Sequence, residues 1–118
     1  MEFRVLFYET EEGNKPLVDF LELLRGRQPT LHRLVIAGLR KLRQRQHHGP
    51  PLTTPIEGVD GLFELRVGGT NIARVFFFFR PGQEIVCTHG YVKKSQRLDS
   101  VEVARAARYR AEWEARPR

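Results

Sequence analysis

Apolar and polar positions recur along this chain with a period that changes from segment to segment. In EFRVLFY (2–8), Phe3, Val5 and Phe7 alternate with Glu2, Arg4 and Leu6, the pattern of a strand with one buried face. Glu11-Glu12-Gly13-Asn14 marks a turn, and Pro16 suits the first position of a helix, where its missing N–H costs nothing. Leu17, Phe20, Leu21 and Leu24 follow at helical spacing as one apolar stripe. Gly26 and Pro29 interrupt the chain. Thr30 is placed to cap a second helix, 31–46, whose stripe is Leu31, Leu34, Val35, Leu39 and Leu42. Two amphipathic helices with a short connection predict an antiparallel hairpin.

After the proline-rich loop HHGPPLTTP (47–55) the period returns to two. GLFELRV (61–67), NIARVFFFF (71–79) and EIVCTHGYV (84–92) read as three strands. Gly68-Gly69-Thr70 and Arg80-Pro81-Gly82-Gln83 are short enough to make them an antiparallel meander. Asp99 and Glu102 have capping-box spacing at the start of a last helix, along which Ala106, Tyr109 and Trp113 form a thin stripe. The expected order is βααβββα, an α+β fold in one domain, 1–118: an antiparallel sheet with an N-terminal helical hairpin on one face and a C-terminal helix.

Alternation also sorts side chains between faces. Ala73, Val75, Phe77 and Phe79 share one side with Phe63, Leu65 and Val67, and the helical hairpin is expected to cover it. The other side carries Glu64, Arg66 and Arg74 with Phe76 and Phe78, a shallow cationic site floored by aromatic rings. Lys93 and Lys94 leave the edge of the same sheet. A plainer reading is available for each residue: Glu64 pairs with an arginine on an exposed sheet, the two lysines are solvated, and Tyr91 is a strand residue with a wet hydroxyl. Strict alternation places His89 with Ile85 and Cys87, toward the core.

Charge narrows the classes of partner. Residues 1–24 carry six acids and two bases, residues 25–118 eight acids and 18 bases, and the whole chain has a net charge of +6. Sixteen of the 20 bases are arginine, whose planar fork suits phosphate. A basic body fits a polyanionic partner or an Arg-rich soluble surface. Arg33, Arg40, Lys41, Arg43 and Arg45 fall on the polar side of the second helix, as phosphate contacts or as a solvated face. One cysteine excludes an internal disulfide and a Cys-based zinc site. His32, His47, His48 and His89 have no ligand spacing, so neither a metal nor a cofactor is expected. Nucleotide-binding glycine loops and a nucleophile elbow are missing from the sequence. No opening segment resembles a signal peptide and no window has transmembrane length, so a cytoplasmic, membrane-free protein is expected.

The segments PLVDFLELL, GLFELRV, NIARVFFFF and IVCTHGYVKKSQ resemble the RelE/ParE toxin superfamily, and most of all its phage-derived, HigB-like branch. ELR, an Arg-aromatic strand and HG-aromatic-x-KK, in that order, form the specific combination, and the resemblance runs from about residue 3 to residue 113. It implies a compact RelE-like fold and a toxin paired with a helix-turn-helix antitoxin. Most members resembling RelE or HigB cut mRNA on the ribosome, whereas those resembling ParE inhibit DNA gyrase and are not nucleases. A diverged, non-catalytic phage-derived binding protein is the third reading. Oligomeric state and codon preference are not implied.

Metal-free RNA cleavage uses the 2′-OH as nucleophile on the adjacent phosphate. It requires a general base and acid, and cations for the charge that develops. Carried over by resemblance, Arg66 and Arg74 bind the scissile phosphate, Lys93 and Lys94 bind backbone or stabilise the transition state, and Tyr91 stacks on a base. Glu64 is the candidate general base, ahead of His89. The chain departs from the family pattern in two places. Ala73 stands where a tyrosine often precedes the strand arginine, and RLDSVE (97–102) replaces a basic run.

Overall fold

The computed structural model describes residues 2–93 and 99–117. Strand β1 (Arg4–Phe7) is followed by helices α1 (Pro16–Arg27) and α2 (Pro29–Lys41) and a short 3-10 turn, Arg45–His47. Strands β2 (Thr53–Pro55), β3 (Leu62–Gly68), β4 (Ile72–Arg80) and β5 (Glu84–Lys93) come next, then helix α3 (Ser100–Ala115). The α+β order expected from the sequence is present, with the short β2 added inside the proline-rich loop. The sheet order is β1-β5-β4-β3-β2.

One edge of the sheet is not antiparallel. β1 pairs with β5 in parallel, from Arg4 opposite Glu84 to Phe7 opposite Cys87, and Arg4 and Glu84 form an ion pair there. The turns between β3, β4 and β5 are too short for anything but antiparallel pairing. Most of the chain separates β1 from β5, so no turn dictates their direction.

The hairpin α1–α2 covers one sheet face. Leu17, Phe20, Leu21 and Leu24 of α1 and Leu31, Val35 and Leu39 of α2 are buried with Leu65, Val75, Phe77, Ile85 and Cys87. Proline opens both helices; Gln28, not Thr30, is the N-cap of α2, and Thr30 lies in its first turn. Leu34 stays exposed, at the rim of the stripe rather than in it. Gly90 lets α1 approach β5: a Cβ there would lie 2.5 Å from the Phe20 ring. Burial pushes the Cys87 thiol up to about 12, which makes it a packing residue rather than a nucleophile.

α2 ends at Lys41, five residues before its apolar stripe and basic face suggest. Competing backbone bonds stop it: the Phe3 N–H donates to the Arg43 carbonyl at 2.7 Å, and Glu2 bridges Gln44. Arg43 and Arg45 therefore lie beyond the helix.

α3 packs on the opposite face. Its Ala106 is buried with Ile56, Leu62 and Phe76, and Tyr109 and Trp113 lie against Tyr8, Phe78 and Val86. Tyr8 and Tyr109 stack with ring centroids 4.5 Å apart. This corrects the open aromatic floor expected from alternation: Phe76 and Phe78 are fully buried beneath the helix. Phe79, assigned to the hairpin side, is 37% exposed at the sheet end, where it meets Phe3, Phe63 and His48.

Candidate functional site

A β-bulge decides what the α3 face contains. β4 and β5 are in register from Ile72 opposite Lys93 to Val75 opposite Gly90, and again from Phe77 opposite Cys87. Between these pairs Thr88 and His89 of β5 both stand against Phe76, so β5 holds one extra residue. Alternation breaks at that point. His89 turns away from Ile85 and Cys87 and lies 5.3 Å from Phe76 and 5.6 Å from Tyr109, ring to ring. This overturns its expected place in the hairpin core. The bulge also keeps Tyr91 opposite Arg74.

Glu64, Arg66, Arg74, Tyr91 and Lys93 come together at the end of this face, next to the start of α3. β3 and β4 set Glu64 opposite Phe76 and Arg66 opposite Arg74. The Arg74 Nη1 donates to both Glu64 oxygens at 2.6 Å, and the two side chains are 6% and 8% exposed. The Thr54 hydroxyl also donates to Glu64, at 3.4 Å. This pair is neither solvated nor shallow. Removing either partner from such a buried pair typically costs about 3–5 kcal/mol, because the other charge is left uncompensated. With both oxygens engaged, Glu64 is an anchor for Arg74 before it is a base. Arg74 Nε is buried and makes no hydrogen bond among the described residues, so the guanidinium retains a donor.

Arg66 is exposed and makes no ion pair among the described residues. Lys93 is held below the usual lysine range, first by burial and next by the charge of Arg74; Glu64 opposes the shift and Arg66 adds to it. Tyr91 is held above the usual phenol range by burial, with Arg74 pulling the other way. Both shifts include the charges of Arg74 and Glu64, so Lys93 and Tyr91 sit in the field of that buried pair. Lys94 lies outside the described residues.

A second polar unit sits deeper under α3. His89 Nε2 lies 3.0 Å from Glu102 Oε1, and its Nδ1 lies 3.2 Å from the Thr88 hydroxyl. Arg105 joins Glu102 at 3.1 Å. His89 is held below the usual imidazole range by burial first, although the hydrogen bond and charge of Glu102 act upward. Sequence reasoning missed Glu102 and Thr54 as site neighbours. Glu102 carried a signal, but its spacing from Asp99 read as a cap. Asp99 does cap α3, accepting from the N–H groups of Val101 and Glu102 at 3.0 and 3.3 Å, while the Glu102 carboxylate is turned to His89.

The five bases assigned to the second helix do not join this cluster. Arg33, Arg40 and Lys41 are exposed on α2, across the sheet from it. Arg43 pairs with Glu2 at 3.3 Å, and the Arg45 guanidinium lies 5.4 Å from the centre of the Phe3 ring. Of the five, only Lys41 lines a groove that Arg66 also lines. No group of three or more metal-ligating side chains occurs among the described residues. No described helix is long and apolar enough to cross a membrane.

No curated protein matches the chain. The model of the phage-derived Gp49-like proteins (DUF891) matches residues 22–111. That span includes α2, strands β2 to β5, every described member of the polar cluster and most of α3. On a match over most of its length, this chain belongs to the phage-derived Gp49-like family, a family of RelE-like toxins.

Proposed function

We propose that the protein is the toxin of a type II toxin–antitoxin pair and cuts translated mRNA on the ribosome without a metal. The observation that carries this reading is the convergence of Arg66, Arg74, Lys93 and Tyr91 around Glu64 on one end of a sheet face. In the reaction the 2′-OH loses its proton and attacks the adjacent phosphorus. The bond to the 5′-oxygen breaks, leaving a 2′,3′-cyclic phosphate and a 5′-hydroxyl. Arg66 and Lys93 are accessible enough to meet the phosphate, and Arg74, fixed by Glu64, adds charge from behind them. Fixed cations aimed at developing negative charge are among the strongest devices available to an enzyme.

The Glu64–Arg74 pair reassigns the acid–base roles. With both Glu64 oxygens held by the Arg74 guanidinium, the more accessible Lys93 amine beside them is better placed than Glu64 to accept the 2′-OH proton. Tyr91, whose hydroxyl stays protonated at neutral pH, suits the leaving oxygen. Lys94 is retained as a backbone contact. The partner is a helix-turn-helix antitoxin that covers the basic end of the sheet, since masking charge and access together silences such a site.

The test is induced expression with mapping of message ends. Growth arrest with new 5′-hydroxyl ends inside translated messages is expected. Arg66→Ala should lower cleavage by about 10²–10³-fold and change stability by no more than about 0.5 kcal/mol, because the residue is exposed. Arrested cells with intact messages and a DNA-damage response would replace this reading with gyrase inhibition.

A further inference from the structure

A groove of about 570 Å³ runs along the open edge of the sheet, between the end of α2, the loop after it and the last residues of β3. It is lined by Lys41, His47, His48, Pro51, Leu52 and Arg66, among others, and by no carboxylate among the described residues. Its walls are fixed by local bonds. His48 Nε2 lies 2.7 Å from the Leu42 carbonyl, and its ring packs against Phe3 and Phe79. The Gly49 N–H donates to the Thr53 hydroxyl at 2.7 Å, and the Arg66 N–H donates to the Leu52 carbonyl at 2.8 Å. Neither Lys41 nor Arg66 is ion-paired among the described residues, so both cations stand at the groove without a neutralising partner.

Three properties together select a ligand. The volume is in the range of sites that take a nucleotide-sized group, roughly 300–1,000 Å³. The charge is of one sign. The remaining lining offers the His47 and His48 imidazole rings with proline and leucine beside them, and a cationic track with rings beside it is the chemistry that holds single-stranded nucleic acid. An acidic peptide would use the charge but not those rings. Position completes the case: Arg66 belongs both to the groove and to the sheet cluster, where it stands opposite Arg74.

We infer that this groove binds the backbone of single-stranded RNA next to the phosphate held at the sheet face. The inference rests on the proposed function only for that continuation; binding in the groove is measurable by itself. The full chain is titrated against a fluorescent 12-nucleotide 2′-O-methyl RNA, which has no free 2′-OH and resists cleavage, at two salt concentrations. The paired variant Lys41→Ala/His47→Ala should bind about tenfold more weakly and lower the slope of log K against log salt by about one. Arg25→Ala, which removes a charge from α1 outside the groove, should bind as the parent does. Thermal melts of all three proteins identify any loss of fold, and Lys41→Gln/His47→Gln replaces the first pair if it melts early.

Unchanged affinity in the folded groove variant overturns the inference. So does an equal loss in Arg25→Ala, which would mean diffuse charge, and so does displacement of the RNA by an equimolar polyglutamate 12-mer, which would mean an acidic protein segment. Groove-dependent binding in a protein that leaves messages intact would keep the groove and discard the nuclease. Message cleavage with groove-independent binding would do the reverse.

Discussion

The two faces of the sheet solve different problems. Under α1 and α2 the face is apolar apart from the buried Thr53 opposite Leu65, and its large side chains interlock without a buried charged group among the described residues. Under α3 the cover is split. Tyr8, Phe76, Phe78 and Val86 are sealed by Ala106, Tyr109 and Trp113, while Glu64, Arg74, His89 and Tyr91 share the same face toward the start of the helix. The first face is built for stability. The second holds desolvated charges that hydrophobic burial alone would not select. Such groups persist when each has a partner, and here Glu64 serves Arg74 while Glu102 and Thr88 serve His89.

Truncation should expose this difference most clearly. Phe77→Ala, in the middle of the hairpin face, should cost about 3–5 kcal/mol in chemical denaturation, with no compensation available from a second site. Glu64→Ala should cost about as much, roughly 3–5 kcal/mol, but for a reversible reason. The paired change Glu64→Leu/Arg74→Met should recover most of that stability while leaving message cleavage lost. If the double variant is no more stable than Glu64→Ala, the second face is ordinary core and the contrast between the faces fails.

The same contrast explains what could be read from the sequence. The hairpin face was legible because its apolar residues keep regular periods, from Leu17 to Leu24 and from Phe63 to Val67. Glu64, Arg66 and Arg74 were assigned to one side correctly because β3 and the first half of β4 keep strict alternation. His89 was not, because a bulge adds one residue to β5 and no local sequence feature marks it; Gly90, which follows, is explained by Phe20. The depth of the Glu64–Arg74 pair was equally hidden. Alternation gives the face a side chain takes but not its depth, and the thin stripe of α3 gave no indication of which face that helix would cover. Arg43 and Arg45 were misplaced because the backbone of residues 2–3 competes with helix continuation, a contact distant in sequence.

A smaller effect separates the helix that covers the second face from the face itself. Asp99→Ala removes the side chain that accepts from Val101 and Glu102 at the start of α3. The loss should be about 1 kcal/mol. Hydrogen exchange should locate it in the first turn of α3, with the amides of α1 and α2 unchanged. Equal loosening of the hairpin amides would mean that the two faces unfold as one unit and that the sheet does not insulate them.

The smallest expected effect concerns His89, and it is read as a dependence on pH. Burial, aided by Arg105 and Arg108, holds this imidazole below its usual range despite Glu102. The folded protein therefore prefers the neutral ring, with Nε2 3.0 Å from Glu102 and Nδ1 3.2 Å from the Thr88 hydroxyl, which also donates to the Phe76 carbonyl at 3.5 Å. The unfolded chain binds a proton at higher pH than the folded one does. Stability from this group is thus fully present above the ordinary histidine pKa of about 6.5 and is lost as pH falls from there through the lower folded value. His89→Gln keeps a donor for Glu102 but cannot titrate. It should flatten the slope of stability against pH between neutral and mildly acidic solution and leave the slope above neutrality as in the parent. An unaltered slope below neutrality would place the titration elsewhere. A slope of opposite sign in the parent would mean that Glu102 outweighs burial and that His89 sits under α3 as an imidazolium, making the second face a set of ion pairs throughout.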